Sequence, residues 1–271
     1  CGASRVLPAQ APDMLFDTHV NLHAEQFADD VEDVLARARA AGVTRFVTVC
    51  DRLDRYPAVR AIAEANDDIT CTVGVHPHYA KDYWSLEAKT LVDEARHSKI
   101  VGIGETGLDQ HYGYSDIILQ ERSFVEHIHA ARETGLLLVV HTREADDLTG
   151  DILEREFKRG PFRILMHCYT SGARLAQRAM DLGASFSVSG ILSFKAATDV
   201  REVMSKVPLE RIVLETDCPY LAPAPYRGRR NEPAYLVDVC RAFADHRSMT
   251  FEDAARLTTA NAIQLFQRAA T

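Results

Sequence analysis

The sequence predicts an α/β fold, a single (β/α)8 TIM barrel, and three observations predict it. Eight short β-branched runs recur along the chain, amphipathic segments separate them, and polar, ligand-type side chains stand at the ends of six of the eight. Strands covered on both faces read as continuous apolar runs, as parallel strands do. Repeated strand–helix units of this number and size fit a closed barrel. An open doubly wound sheet is the competing arrangement of the same pattern.

The runs are residues 14–20 (MLFDTHV), 45–50 (RFVTVC), 69–76 (ITCTVGVH), 100–105 (IVGIGE), 136–141 (LLLVVH), 163–168 (RILMHC), 184–190 (ASFSVSG) and 212–217 (IVLETD). Between the first two, Val31, Val34, Leu35 and Ala38 share one helical face, and Gly42 can end that helix. The segment 115–135 opens with Ser115 as an expected cap and closes at Gly135. Similar helices follow the sixth and eighth runs. The chain's 271 residues suit one large α/β domain. Residues 14–271 are assigned to the barrel and residues 1–13 to an N-terminal extension, with Met14 as a natural start.

Composition narrows the function classes. Hydrophobic residues make up 46% and charged ones 26%, enough for a sizeable core. A net charge of −8 argues against a protein that coats nucleic acid with a general basic surface, but leaves room for a local basic patch. Six cysteines show no CxxC spacing, which fits reduced thiols in a cytoplasmic protein. No apolar run reaches the length of a membrane span, and residues 1–13 lack a signal peptide's basic start and apolar centre. A cytoplasmic monomer is expected.

A barrel of this kind carries its chemistry at the C-terminal ends of its strands. The first run delivers Asp17, His19 and Asn21 at alternate positions, on one strand face, with His23 just beyond. The third ends at His76, followed by His78. The fourth ends at Glu105, the fifth at His141, the sixth at His167 and the eighth at Asp217, with Glu215 two residues before it on the same face. Any one of these has an ordinary explanation: a hydrogen-bonded core histidine, or a carboxylate capping a turn. Brought together at one mouth, they match the mixed nitrogen and oxygen shell of a divalent cation.

Other catalytic patterns are weak or missing. The chain has no GxSxG elbow, no HExxH and no phosphate-binding P-loop. A glycosidase pair made of Glu105 with Glu215 or Asp217 would leave His19, His141 and His167 without a role. The segment 226–233 (YRGRRNEP) places Arg227, Arg229 and Arg230 just after the eighth run. A short charge run is usually a solvated loop, but beside a metal cluster arginines can bind phosphate oxygens bidentately. Arg143 and Lys195, each shortly after a strand end, are expected to supplement them.

The segments DTHVNL (17–22), GVHPH (74–78), GETGLD (104–109), HTREA (141–145), HCYT (167–170), LETDCPYLAP (214–223), RGRRNEP (227–233) and TTANAIQLF (258–266) resemble, in order, the TatD family of metal-dependent hydrolases within the amidohydrolase-like barrels. The resemblance implies a barrel holding one or two divalent metals, Mg²⁺ or Mn²⁺ first and Zn²⁺ as an alternative. It implies hydrolysis of phosphodiesters in DNA, as a 3′-to-5′ exonuclease acting on DNA or oligonucleotide ends. In that reading Glu105 is shared between metals, His141 and His167 ligate one metal, and His19 and Asp217 the other. His76 and His78 lie on the substrate side, and Asp217 holds or deprotonates the attacking water.

The chain departs from the family pattern twice. The first strand reads His19-Val20-Asn21 where many members read His-x-His, and Ser171 falls where glycine is usual after the sixth strand. Asn21 is read as a neutral oxygen ligand or a partner of bound water, which makes the metal nearest His19 the weaker one. Asp17 is expected to hold the His19 ring from behind, with Glu215 in a similar supporting role. Two rival functions stay open at this point. One is hydrolysis of carboxylic esters or amides such as aminoacyl-tRNA esters. The other is metal-stabilised nucleic-acid binding without turnover.

Overall fold

The structure, a computed structural model, describes residues 15–267. The expected extension over residues 1–13 therefore lies outside the described residues. Eight strands pair in parallel and in chain order: β1 (Leu15–Val20), β2 (Val43–Thr48), β3 (Ile69–Val73), β4 (Ile100–Asp109), β5 (Leu137–Arg143), β6 (Arg163–Met166), β7 (Ser185–Val188) and β8 (Ile212–Leu214). The last meets the first just beyond its own end. Val20 bridges to Cys218, the Asp217 N–H donates to the His19 carbonyl at 3.0 Å, and the Asn21 N–H donates to the Cys218 carbonyl at 2.9 Å. These contacts close the barrel and exclude the open sheet.

Helices α1 (Val31–Ala40), α2 (Tyr56–Ala65), α3 (Ala88–Glu94), α4 (Ile117–Thr134), α5 (Asp146–Phe157), α6 (Ala173–Asp181), α7 (Thr198–Lys206), α8 (Leu236–Arg247) and α9 (Phe251–Leu265) account for the amphipathic segments. In α1, Val34, Leu35 and Ala38 are buried as the periodicity predicts, with Val31 packed at the margin. Gly135, at φ 69°, ends α4 in the left-handed conformation that glycine adopts without a Cβ penalty. The start of α4 differs from expectation: Asp116, not Ser115, caps it by accepting from the Ile118 N–H at 2.8 Å. Ser115 ties two loops together, donating to the His78 carbonyl and accepting from the Lys81 N–H.

Two apolar layers hold the barrel. The larger lies between sheet and helices. The smaller gathers Phe16, Val47, Val101, Leu137, Leu165 and Val213 from six different strands, which can meet only inside the barrel. Ala262 and Phe266, at the C-terminal end of α9, join that cluster and plug the N-terminal end of the barrel. Alternation then sets the opposite end. Above Leu137 on β5 come Val139 and His141, above Leu165 comes His167, and above Val213 come Glu215 and Asp217. On these three strands the apolar plug thus fixes which side chains enter the mouth, while on β1, where Phe16 belongs to the plug, an irregularity of register between Asp17 and Val20 accompanies the arrival of His19 at the same mouth.

Candidate metal centre

β4 runs four residues further than the sequence predicts, to Asp109, so Glu105 sits within the strand rather than at its end. Gly107 permits this course. Its φ is 133°, and a Cβ there would lie 2.0 Å from the His141 carbonyl oxygen, so any other residue would push β4 off β5. Glu105 and Asp109, two residues to either side of Gly107, consequently bracket His141.

Four imidazoles converge on the Glu105 carboxylate. His19 Nε2 is 3.3 Å from one oxygen, and His167 Nε2, His141 Nδ1 and His76 Nε2 are 3.1, 3.2 and 3.4 Å from the other. They are delivered by β1, the residue after β6, β5 and the segment after β3. Burial opposes the charge on Glu105, but His167, His76, His19 and His141 outweigh it and hold the carboxyl well below the usual range. Asp217 Oδ1 stands 3.7 Å from His19 Nε2. Burial is the main cause of its pKa being pushed up to about 6, against the lowering influence of His19 and His167.

Among the described residues, two triplets place donor atoms within 4.8 Å of one another: His19 with Glu105 and His167, and His76 with Glu105 and His141. Hydrogen bonding then sorts the imidazoles by where their protons lie. The far nitrogen of His167, Nδ1, is 2.9 Å from Glu215, and the far nitrogen of His141, Nε2, is 3.0 Å from Asp109. A carboxylate can only accept, so those far nitrogens carry protons; the near nitrogens face the Glu105 carboxylate, and a cation seated there would take their lone pairs in place of a proton. His76 is the reverse. Its Nδ1 accepts from the His78 N–H at 3.1 Å, which leaves the proton on Nε2, facing Glu105. Burial chiefly lowers the His76 pKa, to about 4, so the neutral ring is the resting form.

The donor set fits a divalent cation. Both ring nitrogens of His19 are buried without a hydrogen-bond partner, and Nε2 faces two carboxylates, Glu105 and Asp217. A buried lone pair among carboxylates is costly unless a cation or proton completes it. Mixed imidazole and carboxylate donors are also the ligands such metals take. The backbone is strained at the same place: Asp217 (φ 54°) and Cys168 (φ 43°), immediately after His167, are non-glycine residues in the left-handed region. Such conformations cost about 1–3 kcal/mol and persist where surrounding contacts fix them. Here the contacts are Asp217 N–H to the His19 carbonyl and Cys168 N–H to Ser187 Oγ.

Several expected contacts are arranged differently. Asp17 does not reach the His19 ring. Its carboxylate accepts from the Thr216 N–H at 2.9 Å, from the Thr216 hydroxyl at 2.6 Å and from the His19 backbone N–H at 3.3 Å, so it locks β1 to the segment after β8. Glu215 does support a ring, taking the His167 proton and the Ser187 hydroxyl. Asn21 turns an amide N–H, not its carbonyl, towards Asp217. The same nitrogen donates to Asp217 Oδ1 at 3.2 Å and to the Cys218 carbonyl at 3.1 Å, and a carbonyl can only accept, which identifies that end of the side chain. Asn21 therefore orients a carboxylate in this structure instead of offering an oxygen ligand beside it.

A cavity of about 1020 Å³ opens over the cluster, and Asn21, His76, His78, Glu105, His141, His167 and Asp217 all reach it. Of the basic residues expected to bind phosphate, Arg143 and Arg227 line it, the latter with its guanidinium 4.2 Å from the Phe194 ring centroid. Lys195, Arg229 and Arg230 are not part of its wall. Arg230 is held by Asp30 at the start of α1, by Glu232 and by the Gln26 carbonyl, so it fastens the loop rather than facing the cavity. Two groups went unremarked in the sequence, and His23 was noted there without a role. Asp109 holds both His141 and His78, and period two from Glu105 was the signal that marked it. His23 pairs with Asp51 at 3.0 Å on the cavity wall. Tyr112, Tyr114 and Tyr220 form part of the rim.

Comparison with known proteins agrees with this geometry. The family model described as TatD related DNase matches residues 16–267. A Bacillus subtilis protein named as the uncharacterized metal-dependent hydrolase YabD is 39% identical over 94% of this chain and 99% of its own length. A Pantoea ananatis protein named 3′-5′ ssDNA/RNA exonuclease TatD is 36% identical over 93% of this chain and 99% of its own. Among solved structures, the TatD homologue YJJV from Escherichia coli K12 superposes with a TM-score of 0.86 at 26% identity, covering 93% of this chain and 97% of that one.

Proposed function

Since the chain belongs to the TatD family of metal-dependent hydrolases, we propose that it hydrolyses phosphodiester bonds in DNA, removing nucleotides from the 3′ end of a strand. The observation that carries this reading is the set of imidazoles gathered on one shared carboxylate, Glu105, beneath a cavity with arginines in its wall. Glu105, His141 and His167 would hold one divalent ion, and His19 with Asp217 would complete a second position beside it. A divalent metal bound there acidifies water and polarises a phosphoryl oxygen. Mg²⁺ or Mn²⁺ is the proposed ion, with Zn²⁺ the alternative.

The protein's own groups do the remainder. Asp217, with its raised pKa and its Asn21 donor, is placed to hold the attacking water and take its proton. His76 keeps a proton on Nε2 while neutral, so it can donate to a phosphate oxygen without adding a cation to the site. Arg143 and Arg227 would grip flanking phosphates. Glu215 and Asp109 keep His167 and His141 in the tautomer that a ligand needs.

The test is turnover of single-stranded oligonucleotides, labelled and blocked at one end or the other, with Mg²⁺, Mn²⁺ or Zn²⁺, beside a panel of carboxylic esters and aminoacyl-tRNA. Mononucleotides released from a free 3′ end, and not from a blocked one, are the expected product. Turnover confined to the carboxylic esters would overturn the phosphodiester reading, and binding of DNA without product would overturn the enzymatic one.

A further inference from the structure

The rim of the cavity carries a feature that metal chemistry does not use. Among the described residues the large hydrophobic side chains that stand exposed are Trp84, Tyr112, Tyr114, Ile118 and Tyr220, and Tyr112 and Tyr114 also line the cavity. Both come from the loop between β4 and α4. Their rings are stacked at 5.3 Å with an interplanar angle of 2°, and they are 47% and 54% exposed. Aromatic surface kept flat and wet at the mouth of a site calls for a planar apolar partner.

The two rings are held in place. His78 meets both at near right angles, with ring centroids 5.1 and 4.9 Å away and planes at 81°. His78 is fixed in turn by Asp109 at 3.0 Å, and Asp109 also accepts from the Tyr112 N–H at 3.2 Å and pairs with His141. One buried carboxylate thus sets the tyrosines at a fixed position relative to the Glu105 cluster. The Arg143 guanidinium lies 4.8 Å from the Tyr112 ring centroid and donates to its hydroxyl at 3.1 Å, adding a positive charge at the edge of the stack.

We propose that Tyr112 and Tyr114 are a stacking shelf for an unpaired nucleobase, with Tyr114 presenting the receiving face and Arg143 meeting the adjoining phosphate. The inference rests on the phosphodiesterase reading and adds how a strand end is held: pairing covers a base's edges and stacking covers its faces, so an unpaired terminal base keeps a free face and can swing onto Tyr114. It also specifies weak dependence on base identity, because every base has a π-face.

The test uses the whole protein and an oligonucleotide carrying 2-aminopurine at its 3′ terminus. In chelator, with no turnover, the wild type quenches the fluorophore on binding. Tyr114→Ala loses the quench and weakens binding about 5- to 150-fold, the range for removing one base–aromatic stack. Tyr114→Phe, which keeps the π-face, retains both. With metal added, the loss in Tyr114→Ala falls on KM rather than kcat, and it shrinks on an oligonucleotide whose terminal nucleotide is abasic. A wild type that cleaves oligonucleotides while Tyr114→Ala matches it in quench, affinity and KM would overturn the shelf and leave the phosphodiesterase intact. A wild type that neither binds nor cleaves any oligonucleotide would overturn both.

Discussion

The two triplets that share Glu105 differ in depth and in what holds them. His19 and His167 lie at the floor, 0% and 4% exposed, with their rings stacked 3.7 Å apart. The supports behind them belong to the sheet: Glu215 and Ser187 behind His167, and the Asp17–Thr216 lock under His19. His76 and His141 approach from the wall, with side chains 13% and 19% exposed. Their orientation depends on the His78 N–H, in the loop after β3, and on Asp109, the last residue of β4, and Asp109 also serves the tyrosine shelf. The floor is therefore supported by groups that face the barrel alone, while the wall is supported by groups that also set the loops meeting substrate. Damage to the first should appear as lost metal, and damage to the second as lost metal together with altered substrate handling.

The largest effect comes from removing what the two sets share. Glu105→Gln keeps the shape of the side chain but deletes the charge that four imidazoles face. Turnover is expected to fall by more than about 10³-fold, with bound metal lost and the far-ultraviolet dichroism unchanged. Activity within a few-fold of the parent at full metal content would mean that the two sets do not share this carboxylate.

Exchanging the supporting carboxylates separates floor from wall. Glu215→Gln and Asp109→Asn each replace the charged acceptor that fixes a ring proton with a neutral amide, which can turn its N–H to the ring as readily as its oxygen, a change that typically costs about 10–100-fold in metal affinity or activity. The Glu215 carboxylate bonds His167 and Ser187 and sits away from the substrate loops, so its variant should lose metal affinity with KM little altered. Asp109 also holds His78 and the Tyr112 loop, so its variant should raise KM as well. Metal titration and steady-state kinetics on both variants give the comparison directly, and identical profiles would erase the distinction between floor and wall.

Asn21 offers a gain rather than a loss. It now donates to Asp217 and the Cys218 carbonyl. In Asn21→His an imidazole beside His19 and Asp217 should tighten the floor's second metal position and shift its preference towards Zn²⁺. Anomalous scattering at each position across a metal titration measures this. Equal occupancy and preference in parent and variant would show that the neighbourhood of Asn21 does not decide the ion.

The sequence shows the barrel more plainly than its fastenings, for a physical reason. Strands covered on both faces are largely apolar, so all eight are visible as runs, and period two carries six of them into a polar tip. Where a glycine breaks the apolar run the eye stops early: Gly107 hides the last four residues of β4, and with them Asp109. Ser115 and Asp116 are adjacent cap-forming residues, and only packing decides that the first joins His78 and Lys81 while the second caps α4. Contacts across the barrel seam leave no local trace. Asp17 finds Thr216 and Arg230 finds Asp30 about 200 residues away, so Asp17 reads as a ring partner and Arg230 as a phosphate ligand until the chain is closed.

The smallest effect concerns what anchors the wall. His127, in α4, is fully buried: Nδ1 lies 2.7 Å from the Ser123 carbonyl, and Nε2 accepts from the N–H of Val75, the residue before His76, at 2.9 Å. A carbonyl and an N–H fix one neutral tautomer, with no carboxylate to stabilise the cation, and burial lowers the pKa from 6.5 to about 4. A histidine whose folded pKa is depressed resists protonation in the folded state and accepts it in the unfolded one. Its contribution to stability is therefore full above pH 6.5 and is lost as the pH falls towards 4. His127→Gln should be less stable at neutral pH by ~1–3 kcal/mol, the cost of disturbing a buried hydrogen bond, and should lose less than the parent on acidification. Urea midpoints for both proteins at several values across that window test this. Parallel pH curves would remove His127 from the account. A curve that flattens in the variant, with KM rising more than kcat falls, would tie the end of β3 to the wall of the site.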